Sequence, residues 1–301
     1  MFKLIVWYLL FFYPYNKKLI CCDFCYAPYW ISIVQFKTSK DILHWYRSLF
    51  LSVIMIVLQD DQLPEFVASL ERDFPASFNI YFLARNKMRK HLDWPGISFV
   101  VDEFPNFLAC IARTDPHDPT IPPFTNGYSI FLHARDAERL KQLLDQPNIV
   151  DWKLKIGVHN AQRPNYFEVV RQKCLSLGGE IRYSPDQTYY VESALFTGFR
   201  MKDIHFDVAL YNEKDDVVAY IMQGPEGGMG AGYVDPEYRR RGFFKVVLFE
   251  LLKELERQGD TYGYADVLAD NVPSKAAMLS IGGFIYDNFE AAWFEFIPKG
   301  N

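Results

Sequence analysis

The chain has 301 residues, half of them hydrophobic and 23% charged, with a formal net charge of -5. That length suits two compact units, and the absence of low-complexity tracts predicts that most of the chain folds. The negative balance provides no overall basic field for a nucleic-acid backbone, and five cysteines, an odd number, do not make a disulfide framework.

Residues 1–54 read as an atypical, aromatic-rich extension. The apolar run Leu4 to Tyr13 is too short to span a bilayer, and no small-residue cleavage site follows it, so neither a membrane span nor a clear presequence is expected. Cys22 and Cys25 have metal-like spacing, but a zinc site needs four ligands and no second Cys/His pair follows, so no metal is expected. Met55 precedes the first segment with ordinary globular patterning.

Residues 55–190 read as a mixed α/β domain. Leu63, Phe66, Val67 and Leu70 recur at helical spacing; Phe78, Ile80 and Phe82 alternate with polar neighbours and Tyr81, which predicts a strand. Ile97 to Val101, Phe107 to Ile111 and Tyr128 to Leu132 are further strands, with a Pro-rich loop at Pro116 to Pro123. Asp136 caps a helix bearing Leu140, Leu143 and Leu144, and Gly178-Gly179 closes a helix that starts near Asn165.

Residues 191–301 read as a second domain. Phe206, Val208 and Leu210, the turn Asn212 to Asp216 and Val217 to Gln223 form a hairpin; the turn Gln223 to Gly228 leads to a strand Met229 to Val234 whose Gly230 and Gly232 allow close approach of a ligand. Val234 opens Val234-Asp235-Pro236-Glu237-Tyr238-Arg239-Arg240-Arg241-Gly242-Phe243-Phe244, followed by a helix with Val247, Leu248, Leu251, Leu252 and Leu255 on one face. Strand, basic turn and helix start read either as a phosphate site, because helix-start N–H groups and arginines both favour an anion, or as a solvated arginine cluster at a turn. Tyr264 to Leu268 is a strand, Pro273 to Ile281 a helix, and Ala291 to Phe296 a closing strand.

Arg239, Gly242 and Phe244 take the places of the coenzyme-A motif of the GNAT acyltransferase superfamily, and Asn271-Val272-Pro273-Ser274, ending in Gly283-Phe284, resembles its second motif. With Leu70-Glu71-Arg72-Asp73-Phe74-Pro75 and Val101-Asp102-Glu103-Phe104-Pro105-Asn106 in the first half, the chain resembles the glycine N-acyltransferase family. The resemblance implies a C-terminal GNAT fold, a mostly antiparallel sheet flanked by helices, that binds acyl-coenzyme A (acyl-CoA) as cosubstrate through Val234, Arg239, Arg240, Arg241, Gly242, Phe243, Phe244, Asn271 and Ser274. It also implies acyl transfer to glycine or a related amino acid, without a tightly bound cofactor, in mitochondria; with no clear presequence, the cytoplasm is the alternative.

Three features depart from the family pattern. Phe244 replaces Gly or Ala and Arg240 replaces a frequent glycine; the stretch 191–205 is short for the helix pair that covers the acceptor side; and the place of the family's general-base glutamate falls on Gly228, with Glu226 the nearest carboxylate. A non-catalytic acyl-CoA-binding protein is the alternative reading. For the base, Glu226 in Gly224-Pro225-Glu226-Gly227-Gly228 is either an exposed turn acid or the catalytic group, and Asp266 is the second candidate.

Overall fold

The computed structural model describes residues 18–20, 33–35, 55–90, 96–115, 117, 128–192, 207–286 and 290–300, with backbone alone for 18–20, 33–35, 183–192 and 207. The chain divides into two compact units, Met1–Val53 and Ile54–Asn301. In the first, β1 (Lys18–Ile20) and β2 (Ile33–Gln35) pair antiparallel, Leu19 opposite Val34. The apolar run 4–13, the Cys22/Cys25 pair and the short stretch 193–206 lie outside the described residues.

In the second unit, α1 (Leu63–Leu70) buries Leu63, Phe66, Val67 and Leu70, one face at i, i+3, i+4, i+7. The strand expected at Phe78 to Phe82 is instead the start of α2 (Phe78–Arg89). Every residue from Phe78 to Ala84 is buried, so the first two turns of this helix are enclosed nearly all round, and the two-residue alternation along it is incidental. A helix with no wet face must have partners on several sides. Its partners are the sheet on one side and Tyr264 and the 224–227 turn on another.

The main sheet has the strand order β12-β8-β14-β7-β6-β5-β4-β3. Its members are β3 (Ile56–Val57), β4 (Ser98–Val101), β5 (Ala109–Arg113), β6 (Ser129–Ala134), β7 (Ile156–Arg163), β8 (Glu180–Glu192), β12 (Tyr262–Leu268) and β14 (Glu290–Ile297), with β13 (Phe284–Ile285) added on β8. Among the described residues of this sheet, β6 and β7 pair parallel and the other pairs are antiparallel. Strands from both halves of the sequence therefore share one sheet. Helices α3 (Ala137–Asp145) and α4 (Phe167–Ser176) lie on it. As expected, Asp136 caps α3, accepting hydrogen bonds from the N–H groups of Glu138 and Arg139.

Three further strands, β9 (Asp207–Tyr211), β10 (Val217–Gln223) and β11 (Met229–Val234), make a separate antiparallel sheet in the order β11-β10-β9. Helix α5 (Phe243–Arg257) covers one of its faces: Val247, Leu248, Leu251, Leu252 and Leu255 pack with Ala219, Ile221, Met229, Ala265 and Val267. Helix α6 (Val272–Ser280) follows β12. The architecture is mixed α/β, with a mostly antiparallel sheet flanked by helices.

Candidate active site

Among the described residues, strands β11 and β12 meet through a single parallel bridge, Gly228 to Tyr264. From that point β11 pairs only with β10, and β12 with β8, so each is an edge strand of its own sheet. Two edges that part in this way leave a wedge with unpaired backbone N–H and C=O groups on its walls. The loop after β11 and the first turn of α5 border the wide end of the wedge, and the 224–227 turn sits at the narrow end.

A cavity of about 890 Å³ occupies the wide end. Val234, Arg239, Arg240, Gly242, Phe243, Phe244 and Ser274 all line it. Arg240 takes a left-handed backbone, φ 63°, at the place of the frequent glycine, and Gly242, φ 87°, is the N-cap of α5. The Lys245 and Val246 N–H groups donate to the Gly242 carbonyl at 3.0 and 3.3 Å, and Gly242 has no side chain to cap the N–H groups of Phe243 and Phe244 before them. Arg239 Nε donates to the Val234 carbonyl at 3.0 Å, which ties its guanidinium to the cavity rim. The bulk of Phe244 is accommodated across the wedge: a Cβ on Gly232 would overlap the Phe244 ring.

Arg241 and Asn271 hold other positions. The Arg241 guanidinium lies over the Tyr238 ring, 5.4 Å from its centroid. Asn271 caps α6, its side chain accepting from the Ser274 N–H at 3.2 Å. Pro273, Ala277 and Ser280 also line the cavity. Their i, i+4, i+7 spacing on α6 was a readable sign of a low-relief helix face that a ligand can approach.

The narrow end is built from the turn that carries Glu226. The Gly224 N–H donates to the Gly228 carbonyl and the Gly227 N–H to the Gly224 carbonyl, both at 2.8 Å. The Glu226 side chain folds back over Gly224, where a Cβ would overlap its carboxylate. Glu226 is half-buried, and desolvation pushes its carboxyl up to about 7; the Asp266 charge adds to the rise, while a hydrogen bond from its own backbone opposes it. Tyr264 is buried, which raises its phenol well above the ordinary range, and the Glu226 and Asp266 charges act in the same direction. Its hydroxyl shares one hydrogen between the Glu226 backbone carbonyl at 2.7 Å and Asn79 Oδ1 at 2.9 Å. Glu226 and Asp266, apart in sequence, are thus neighbours at the bridge where the wedge closes.

Residues 55–208 match the family model described as aralkyl acyl-CoA:amino acid N-acyltransferase, and residues 208–293 the model described as FR47-like protein. Among solved structures, the chain is similar to a Drosophila protein with 15% identity and a TM-score of 0.65, over 82% of this chain and 99% of that one. A tandem GNAT protein from the clavulanic acid biosynthesis pathway aligns at 8% identity, TM-score 0.44, over 82% and 98%. A GCN5-related N-acetyltransferase from Sphaerobacter thermophilus aligns at 12% identity, TM-score 0.45, over 82% and 96%. Half of the chain matches the first model and the parted strand pair falls within the second; the chain belongs to the aralkyl acyl-CoA:amino acid N-acyltransferase family, acyl-CoA-dependent N-acyltransferases with a GNAT-type domain.

Proposed function

We propose that the protein moves an acyl group from acyl-CoA to the amino group of glycine or a related amino acid, with Glu226 as the base. The observation that carries this reading is a desolvated carboxyl, raised to about 7, at the closed end of a wedge whose open end offers arginines and free helix-start N–H groups. From Gly228 to Val234 the strand spans about 20 Å, which suits an extended pantetheine arm with its pyrophosphate at α5 and its thioester at the turn. The amide groups of that arm find unpaired backbone partners on β11 and β12.

The amine nitrogen attacks the thioester carbonyl carbon and a C–N bond forms; the C–S bond then breaks, and the leaving thiolate takes a proton from water. Glu226 accepts the proton that the amine loses. A carboxyl near 7 is matched to that task at neutral pH, being half ionised while still basic enough to hold the proton. Asp266 holds a negative charge beside it and is the second candidate for the base. Direct attack requires no tightly bound cofactor. The same reading divides the chain into an extension (1–54), an N-terminal α/β domain (55–190) and an acyl-CoA-binding domain (191–301), and places the protein in mitochondria, where the resembled family conjugates acids such as benzoate.

Release of free thiol from a panel of acyl-CoA thioesters, with glycine and other amino acids as acceptors, tests the activity. Glu226→Gln is expected to lower turnover about a hundredfold at neutral pH while leaving acyl-CoA affinity unchanged. A parental rate in that variant moves the base to Asp266, tested by Asp266→Asn. The brevity of the stretch 191–205 in the sequence supports a second reading, an acyl-CoA-binding protein without an acceptor site. Tight acyl-CoA binding without turnover on any amine favours it.

A further inference from the structure

The turn bearing Glu226 is short, glycine-rich and held from outside. Helix α2, more than a hundred residues earlier in the chain, presents Asn79, Phe82 and Asn86 at i, i+3 and i+7, a single stripe. Asn79 meets the Tyr264 hydroxyl, which donates to the Glu226 carbonyl. The Phe82 ring lies against Gly227, φ 87°, where a Cβ would overlap it. Asn86 Nδ2 donates to the Pro225 carbonyl at 2.9 Å. Both asparagines are almost fully buried, at 4% and 3% exposure. Apolar side chains would fill the same space without the cost of desolvating an amide, so what the amides add is direction: Asn86 bonds an atom of the turn itself, and Asn79 bonds the Tyr264 hydroxyl that reaches the Glu226 carbonyl.

We propose that Asn86 is a positioning residue for Glu226, fixing the Pro225 carbonyl so that the carboxyl stays over Gly224 at the closed end of the wedge. The inference rests on Glu226 being the base. Among the described residues, the charge that acts on Glu226 is that of Asp266 on β12, and the neighbouring Tyr264 phenol is itself raised by the Glu226 and Asp266 charges. The two arginines of α2 are committed elsewhere, Arg85 and Arg89 both pairing with Asp260. Release of the turn lets water reach the carboxyl, which lowers the pH at which it ionises.

The test uses Asn86→Ala and the isosteric Asn86→Asp in the full chain, with Glu226→Gln and the Glu226→Gln/Asn86→Ala pair beside them. The expected result is a kcat reduced about tenfold, with KM for acyl-CoA unchanged and the acid limb of the kcat profile about one pH unit lower. The double variant should be no slower than Glu226→Gln alone. A merely structural asparagine would leave the acid limb where it is. If Glu226→Gln is slow but a folded Asn86 variant keeps the parental kcat and profile, the positioning role alone is overturned. If Glu226→Gln keeps the parental rate, the base assignment falls and the positioning role with it. If neither Asn86 variant folds, Asn86 serves the fold and the inference is overturned.

Discussion

Two parallel strand pairs occupy equivalent places in the two halves of the sequence. In each, three antiparallel strands lead through a helix into a fourth strand parallel to the third: β4, β5, β6, α3, β7 in the first half and β9, β10, β11, α5, β12 in the second. The first pair stays bonded over Ser129–Phe131 and Gly157–His159. Beyond it the Tyr166 hydroxyl serves the Leu132 and Asn160 carbonyls, both at 3.0 Å, and Asn160 Nδ2 donates to the Leu132 carbonyl at 3.2 Å. The second pair has one bridge, and Gly230 and Gly232 line the parted strand. The helix starts differ in the same sense, because the Asp136 side chain satisfies the first N–H groups of α3 while Gly242 has no side chain to meet those of Phe243 and Phe244 in α5. One topology thus yields a structural seam or a ligand site, according to whether its own side chains meet the freed backbone groups.

Filling the open wedge should have the largest effect. Gly232→Leu must displace Phe244 and occupy the wedge, so acyl-CoA affinity measured by calorimetry should fall by about a hundredfold, roughly 2.7 kcal/mol; an unchanged affinity breaks the comparison.

Next come opposite responses to pH. Glu226 has a folded pKa of about 7 against an ordinary 4.5, so the stability it contributes is present below about 4.5 and is lost as pH rises through 7. Glu226→Gln should remove that loss, by about 2 to 3 kcal/mol, when unfolding is followed at pH 5 and pH 8. Desolvation of His159, in the filled seam, takes its imidazole from 6.5 down to about 4, so its contribution is present above 6.5 and is lost as pH falls through 4. His159→Gln should flatten the acid side instead. Identical pH profiles in the two variants would remove this distinction.

At the wide end, Arg239→Ala and Arg240→Ala should each weaken acyl-CoA binding by about 1 to 3 kcal/mol. Arg241→Ala should change it much less, because Arg241 packs on Tyr238. Smallest of all, Tyr166→Phe should lower stability by about 1 kcal/mol and leave ligand affinity unaltered. A loss of affinity there would mean that the seam is not separate from the site.

The wide end of the wedge was legible in sequence because its determinants are local. The arginines, Gly242 and the apolar face of α5 lie within one continuous stretch, as do Asp136 and the helix it caps. The narrow end was legible only as a carboxylate in a glycine-rich turn. What makes Glu226 unusual comes from α2, whose Asn86 is 139 positions before Pro225, and α2 itself carries a misleading alternation because it is buried on several sides. Strand β7 escaped notice because two of its buried positions are Asn160 and Gln162, amides that bond the Ala76 carbonyl rather than the apolar residues by which strands are read. That β14 joins β7 to β8 leaves no local trace.

The position of β14 also bears on how the chain is made. Lying between β7 and β8, it is synthesised long after both. Until residues 290–297 have emerged from the ribosome, the edges of β7 and β8 that will receive β14 lack their partner, and such edges are adhesive. The first half therefore cannot finish its own sheet during translation. A nascent chain halted before Glu290 would leave exposed the two edges that β14 covers once it is made.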